Sequence, residues 1–153
     1  MQSYGPVVLR VSVGAVFIAH GAQKLFGLWG GPGLNGTTAM LTSLGLPYAQ
    51  PLAILLAVVE LGGGILLALG GLTRWVALAL AIDMAVAIWK VHFRNGFFLS
   101  EHAARGGGAE YAMVLLAALV CLMLVGPGAL SIDHWRNQSS EAAARGRARA
   151  RKM

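Results

Sequence analysis

The sequence predicts an all-α membrane protein, an antiparallel four-helix transmembrane bundle with a short interfacial helix in its first loop. Three observations predict it. The chain of 153 residues is 57% hydrophobic and only 12% charged, against about 25% charge in a typical soluble domain. Its mean hydropathy is +0.67. Its apolar residues fall into four runs of about 17–22 residues, close to the roughly 20 that cross a bilayer core as a helix. Strands are excluded because the runs are long and do not alternate. Helices are required because every backbone N–H away from water needs a partner within its own segment. High hydrophobicity with low charge excludes disorder, and the length suits one domain.

The elements follow in order. Met1-Gln2-Ser3-Tyr4-Gly5-Pro6 has no basic stretch ahead of the first apolar run, so no removable signal peptide is expected. The first run, 7–26, carries Arg10, His20 and Lys24. In the loop that follows, 37–44 predicts the short helix, with Asn35 or Thr37 as cap and Gly45 as stop. Its Leu34, Met40, Leu41 and Leu44 face one way. The second run, 51–72, places Pro51 in a first turn, where a missing N–H costs nothing, and has Glu60 as its one charge. Gly70-Gly71 ends it, and a tight turn leads to the third run, 74–92, with Asp83 near its centre. Ala53, Ala57, Gly64, Ala68, Ala77, Ala81 and Ala85 form small-residue ridges for close approach. Residues 93–108 read as a partly interfacial loop with a glycine hinge at 106–108. The fourth run, 109–125, opens with Glu110 and stops at Gly126-Pro127-Gly128. Residues 1–135 thus form the transmembrane domain and 136–153 a basic, flexible cytoplasmic tail.

The net charge of +6 belongs to that tail, which holds Arg136, Arg145, Arg147, Arg149, Arg151 and Lys152. A nucleic-acid module needs basic residues on a folded surface with aromatic stacking partners, so the expected neighbour is anionic lipid. Basic residues mark the cytoplasmic side. Arg10, Arg74 and the tail lie on the side of the termini; Lys24, Lys90, Arg94 and Arg105 lie on the other. Both termini are therefore expected in the cytoplasm. Arg10 reads as a side chain snorkelling to the inner surface. Tyr4, Trp29, Trp75 and Trp89 sit near helix ends, as an interfacial belt requires. Cys121 is the one cysteine, which excludes an internal disulfide or a CxxC redox pair. Among apolar neighbours it reads as a small buried residue.

Charges in lipid are costly, about 2.5–3.5 kcal/mol at a helix centre on insertion scales. The topology gathers His20, Lys24, Glu60, Asp83, Lys90, His92 and Glu110 between the middle and the outer face. His20 and Lys24 are one turn apart; Asp83 and Lys90 are seven apart and share a face. Such a cluster suits a polar lock between helices, a small-molecule site in the bundle, or a proton path, although a continuous chain of acids is missing. His20, His92 and Glu110 include metal-ligating types, but no HxxxH or ExxH spacing supports a metal or haem site. No catalytic residue and no cofactor motif are readable in the chain itself.

The run Gly14-Ala15-Val16-Phe17-Ile18-Ala19-His20-Gly21-Ala22-Gln23-Lys24-Leu25-Phe26-Gly27 resembles the first-helix signature of the DoxX family of small bacterial membrane proteins. Leu44-Gly45-Leu46-Pro47, Glu60-Leu61-Gly62-Gly63, His92 with Asn95-Gly96-Phe97-Phe98, Glu110-Tyr111, and Gly126-Pro127-Gly128 leading to Ser131-Ile132-Asp133 are similar to further pieces of its pattern, in order. The resemblance covers residues 7–135. It implies a multi-pass protein of the bacterial inner membrane. Relatives include subunits of thiosulfate:quinone oxidoreductase and members of oxidoreductase complexes tied to thiol and superoxide defence. His20, Lys24, Glu60, His92 and Glu110 match family positions; Asp83 and the basic tail do not. With the cluster, the resemblance implies a small membrane subunit of a redox system that binds a quinone or similar molecule. The alternative is a non-enzymatic anchor or assembly factor for a soluble oxidoreductase partner. A transporter would show inverted repeats and broken helices.

Overall fold

The computed structural model of the chain describes residues 3–93, 96–99 and 107–150, with backbone alone at 141–146 and 148–150. Among the described residues it is all-helical, with no strand. The helices are α1 (Gly5–Phe26), α2 (Gly33–Ser43), α3 (Ala49–Leu69), α4 (Thr73–Ala87), α5 (Glu110–Val125) and α6 (Ile132–Ala150). A 3₁₀ turn, Leu28–Gly30, follows α1, and α4 runs on as one π-helical turn, Ile88–His92. Three segments are long and apolar enough to cross a membrane: Gly5–Phe26, Ala49–Leu69 and Thr73–His92. Helix α5 is as apolar but has 16 residues, about 24 Å at helical rise.

Local chemistry sets the boundaries. Gly27 and Gly70 adopt left-handed φ of 71° and 70° and close α1 and α3. The amides of Gly70 and Gly71 donate back to Leu67 and Leu66 carbonyls, satisfying the last turn of α3. Only residues 70–72 separate α3 from α4, so α4 folds back along α3. Asp133 caps the new helix from a distance: its carboxylate accepts the Leu72 and Thr73 amides, each at 2.8 Å.

Two intimate pairings organise the packing. Helices α1 and α3 approach through glycine: a Cβ on Gly14 would lie 2.7 Å from the Gly64 carbonyl oxygen, and one on Gly21 would lie 2.4 Å from the Leu61 nitrogen. Helix α4 packs on α5, and the common core joins Val13 and Phe17 of α1 to Leu67, Leu80, Met84, Leu115, Leu119 and Leu122. Of the small-residue ridges, Ala53, Ala57, Gly64, Ala77 and Ala81 are buried here, Ala68 is half-buried and Ala85 is exposed. The outside is also apolar: Leu55, Val58, Ile82 and Val114 are more than half exposed. Such a surface suits lipid and is rare on soluble monomers.

Several expectations need correction. The short helix starts at Gly33, with no side-chain cap. The Thr37 and Thr38 hydroxyls bond back to the carbonyls of Gly33 and Leu34, both at 2.8 Å, so they sit inside the helix. Cys121 is exposed on α5, because an apolar run without a polar face does not reveal which side turns inward. Gly108 is no hinge: it is buried, and a Cβ there would meet the Phe98 carbonyl oxygen at 2.1 Å. The stretch from Arg136 continues α6 to Ala150 rather than forming an irregular tail; alanine and arginine are strong helix formers. Arg94, Arg105, Gly106, Arg151 and Lys152 lie outside the described residues. Tyr4, Trp29, Trp75 and Trp89 are all exposed.

The correction with most consequence concerns Arg10. It is 2% exposed and does not snorkel. Its guanidinium donates to the carbonyls of Ala68, Pro127 (3.2 Å), Ala129 (3.3 Å) and Leu130 (2.5 Å). The end of α3 and the α5–α6 turn expose carbonyls that their helices cannot pair, and a fork of five N–H donors suits them.

Candidate functional site: a buried lysine–carboxyl cluster

The site grows from the α1–α3 contact. Gly21 lets α1 lie directly on the backbone at Leu61. That approach brings Lys24, one turn further along α1, onto Glu60, the neighbour of Leu61. The Lys24 ammonium and Glu60 Oε1 form an ion pair. The pair is asymmetric: Glu60 is 1% exposed and Lys24 21%. The carboxylate is sealed in the interior while the ammonium reaches the edge.

Asp83 enters from α4. Its carboxyl lies within hydrogen-bonding reach of Glu60 and within the field of Lys24. Two ionised carboxylates have no proton to place between them, and Glu60 Oε2 and Asp83 Oδ2 are buried without a donor. Three spanning segments therefore supply two acids and one base at one place.

His20 stands one turn before Lys24 and within electrostatic reach of both Lys24 and Glu60. Its ring lies 6.3 Å from that of Tyr111, tilted by 55°. Both residues are exposed.

Lys90, His92 and Glu110 do not join the cluster. Lys90 lies over the Trp89 ring, 4.3 Å from its centre, a cation–π contact. Lys90 lies about two helical turns beyond Asp83, within the π-helical turn Ile88–His92. His92 Nδ1 is 3.3 Å from the Gly107 carbonyl, and Glu110 Oε1 accepts the Leu99 amide at 2.8 Å. With Ala109 donating to Gly96 and Glu110 to Phe97, these contacts fasten the described parts of the α4–α5 connection.

Sequence reasoning missed three polar residues: Tyr111, Arg10 and Asp133. Residue type gives no sign that Tyr111 stands beside His20 or that Asp133 caps α4. Arg10 carried the signal that singled out Glu60, an intramembrane charge, but its place near a helix end suggested the opposite reading. Among the described residues, no group of three His, Cys, Asp or Glu side chains stands close enough to hold a metal ion.

A small helical membrane protein with an ion pair locked between its first and third helices is the class that fold and site define. The chain belongs to the DoxX family, whose model matches residues 5–93. It is 33% identical over 129 residues to CatD of Bacillus subtilis, named as a provisional oxidoreductase, covering 84% of each chain. It is 35% identical over 160 residues to the Mycobacterium tuberculosis membrane protein Rv3486, covering 95% of this chain and 90% of the relative. It is 28% identical to the Escherichia coli inner membrane protein YqjF, over 90% of this chain and 96% of the relative. No solved structure matches it.

Proposed function

We propose that this DoxX-family membrane protein is a small subunit of a redox system and binds a quinone or similar carbonyl compound at the rim formed by His20, Lys24 and Tyr111. The observation that carries the reading is the half-open ion pair. Glu60 fixes the Lys24 ammonium from inside, leaving further N–H donors directed outward. A quinone head needs donors for its carbonyl oxygens and an apolar wall for its ring. Lys24 Nζ, a His20 ring nitrogen and the Tyr111 hydroxyl supply the first, and the two aromatic rings border the second. The fit is chemical. When bound, a quinone would supply two-electron carrier chemistry; the chain's own residues orient its oxygens and exclude water.

In this reading four helices, α1, α3, α4 with its π-helical turn, and α5, cross the bacterial inner membrane in antiparallel order. Both termini lie in the cytoplasm, and the cluster faces the outer half. The exposed Arg136 and Arg147 of α6 then lie beside anionic headgroups, each worth about 1 kcal/mol. A soluble or membrane oxidoreductase partner supplies the cofactors. The name of the B. subtilis relative supports the redox assignment.

The test uses the full chain in nanodiscs, titrated with a short-chain ubiquinone and a short-chain menaquinone and followed by tryptophan quenching. Binding of either is expected, weakened at least tenfold by Lys24→Ala or His20→Ala and unchanged by His92→Ala. Equal quenching in all four proteins, or none, rejects the reading. Solvent accessibility of a cysteine placed at Ser139 in inside-out and right-side-out vesicles tests the topology.

A further inference from the structure

We infer that Glu60 and Asp83 together hold one exchangeable proton, making the cluster a proton-storage site inside the bundle. The inference does not depend on the quinone reading; it rests on charge balance and on unpartnered atoms. Among the described residues, two carboxyl groups meet one ammonium. Were both acids ionised, the cluster would carry one uncompensated negative charge among Ala57, Leu80, Ala81 and Met84, all buried. A buried charge without a partner is strongly disfavoured and is neutralised instead. Helix α1 offers Lys24 and, further off, His20; α3 offers Glu60; α4 offers Asp83; α5 reaches only His20, through Tyr111. Helix α2 also packs on α3 but carries no titratable side chain.

The unpartnered atoms locate the missing charge. Glu60 is 1% exposed, its Oε1 is taken by Lys24, and its Oε2 has no donor. Asp83 Oδ2 is likewise buried without a donor, and the two carboxyls are within hydrogen-bonding reach. A proton between them satisfies both orphaned oxygens and restores neutrality. Two close carboxyl groups sharing one proton is a known solution to this problem. A bound metal ion would want more ligands, and no third His, Cys, Asp or Glu joins the pair among the described residues. Lys24, at the edge of the site, connects the stored proton to the His20–Tyr111 rim. With the proton in place the cluster is neutral, and its release leaves one net negative charge, which is disfavoured unless a positive charge arrives in its stead.

Infrared absorption of the full chain in nanodiscs, in H₂O and in D₂O, tests this. A protonated carboxyl has a C=O stretch separate from the carboxylate bands and shifted by deuteration. Wild type at neutral pH is expected to show that band. Asp83→Asn and Glu60→Gln should each abolish it, because one carboxylate then balances Lys24. Lys24→Met should about double it. A band that persists in both carboxyl variants, or its absence from wild type, overturns the proposal; sodium-dependent spectral changes without the band overturn it in favour of a metal ion. Wild type labelled with [¹³C]aspartate keeps the test open where a variant does not fold. Only Asp83 and Asp133 take the label, and the capping Asp133 accepts two amides as a carboxylate. A label-induced shift of the band supports the shared proton; an unshifted band excludes Asp83.

Discussion

Gly21→Ala tests the link between helix packing and the site. The added Cβ would lie 2.4 Å from the Leu61 nitrogen and 2.7 Å from its Cα, where ordinary contact begins at 3.4 Å. Both opposing atoms are backbone, so no rotamer change relieves them. The helices must separate locally by about 1 Å in a close-packed interior. Overpacking of this kind costs about 1–3 kcal/mol, and the better helix propensity of alanine offsets about 1 kcal/mol. Because both clashing atoms are backbone, the upper end of that range applies, and a net loss of about 2 kcal/mol is expected. Because Lys24 is one turn away and Glu60 adjoins Leu61, the same separation loosens the ion pair. Reversible unfolding by SDS in mixed micelles measures the change. Gly62→Ala is the matched control, since a Cβ there meets nothing within 4 Å; it should leave the midpoint unchanged or raise it. Wild-type stability in Gly21→Ala, or an equal loss in the control, would refute close α1–α3 contact as the organiser of the site.

Three further outcomes follow from named contacts. Arg10→Met strands four carbonyls and is expected to cost about 3 kcal/mol or more, with Arg10→Lys recovering less than half because an ammonium lacks the fork; an unfolding midpoint near wild type for either would contradict the cradle. Lys24→Met leaves Glu60 buried without its cation and should cost about 3–5 kcal/mol, most of it regained in the Lys24→Met, Glu60→Met double variant; a double-mutant cycle with no coupling would show that the pair does not interact in the membrane. Asp133→Ala removes the acceptor for the Leu72 and Thr73 amides and should cost about 1–2 kcal/mol, and faster amide exchange confined to the start of α4 is its signature.

Much of the helical framework is legible because lipid simplifies the code. Apolar runs mark α1, α3, α4 and α5, and glycines at 27, 70 and 126 mark where they stop. The cluster is legible in part because a mid-helix acid demands a partner, which is how Glu60 and Asp83 stand out. Lys90 is not, because nothing in the sequence marks its turn onto the Trp89 ring. His92 and Glu110 share the depth of the cluster but are engaged by connector backbone, and hydrogen bonds to backbone leave no trace in residue type. Arg10 misleads for a related reason: snorkelling and capping place the same residue at the same depth. Cys121 shows the limit of composition, since a helix apolar on every side gives no clue to its inner face.

Helix α1 carries two polar anchors of opposite character. Arg10 and Lys24 are fourteen residues apart, about 21 Å along the axis. At the Arg10 end the charged groups are matched: four carbonyls take the guanidinium and Asp133 takes two amides, although the Thr73 hydroxyl is buried without a partner. A buried network whose charges are all matched rigidifies a fold and has no unbalanced charge for a proton to neutralise. At the Lys24 end two buried carboxyl oxygens lack donors and the ammonium stands at the edge. Had selection acted there only for a helix lock, Lys24 and Glu60 alone would serve, and Asp83 would add a desolvation cost without a return. The presence of Asp83 against Glu60 is therefore the feature that separates a site from a lock. It also makes a specific demand: Asp83→Leu should keep the bundle at least as stable as wild type, while any proton-coupled activity of the chain or its complex is lost. If Asp83→Leu instead unfolds the protein and leaves activity intact in the surviving fraction, Asp83 belongs to the scaffold and the cluster is structural.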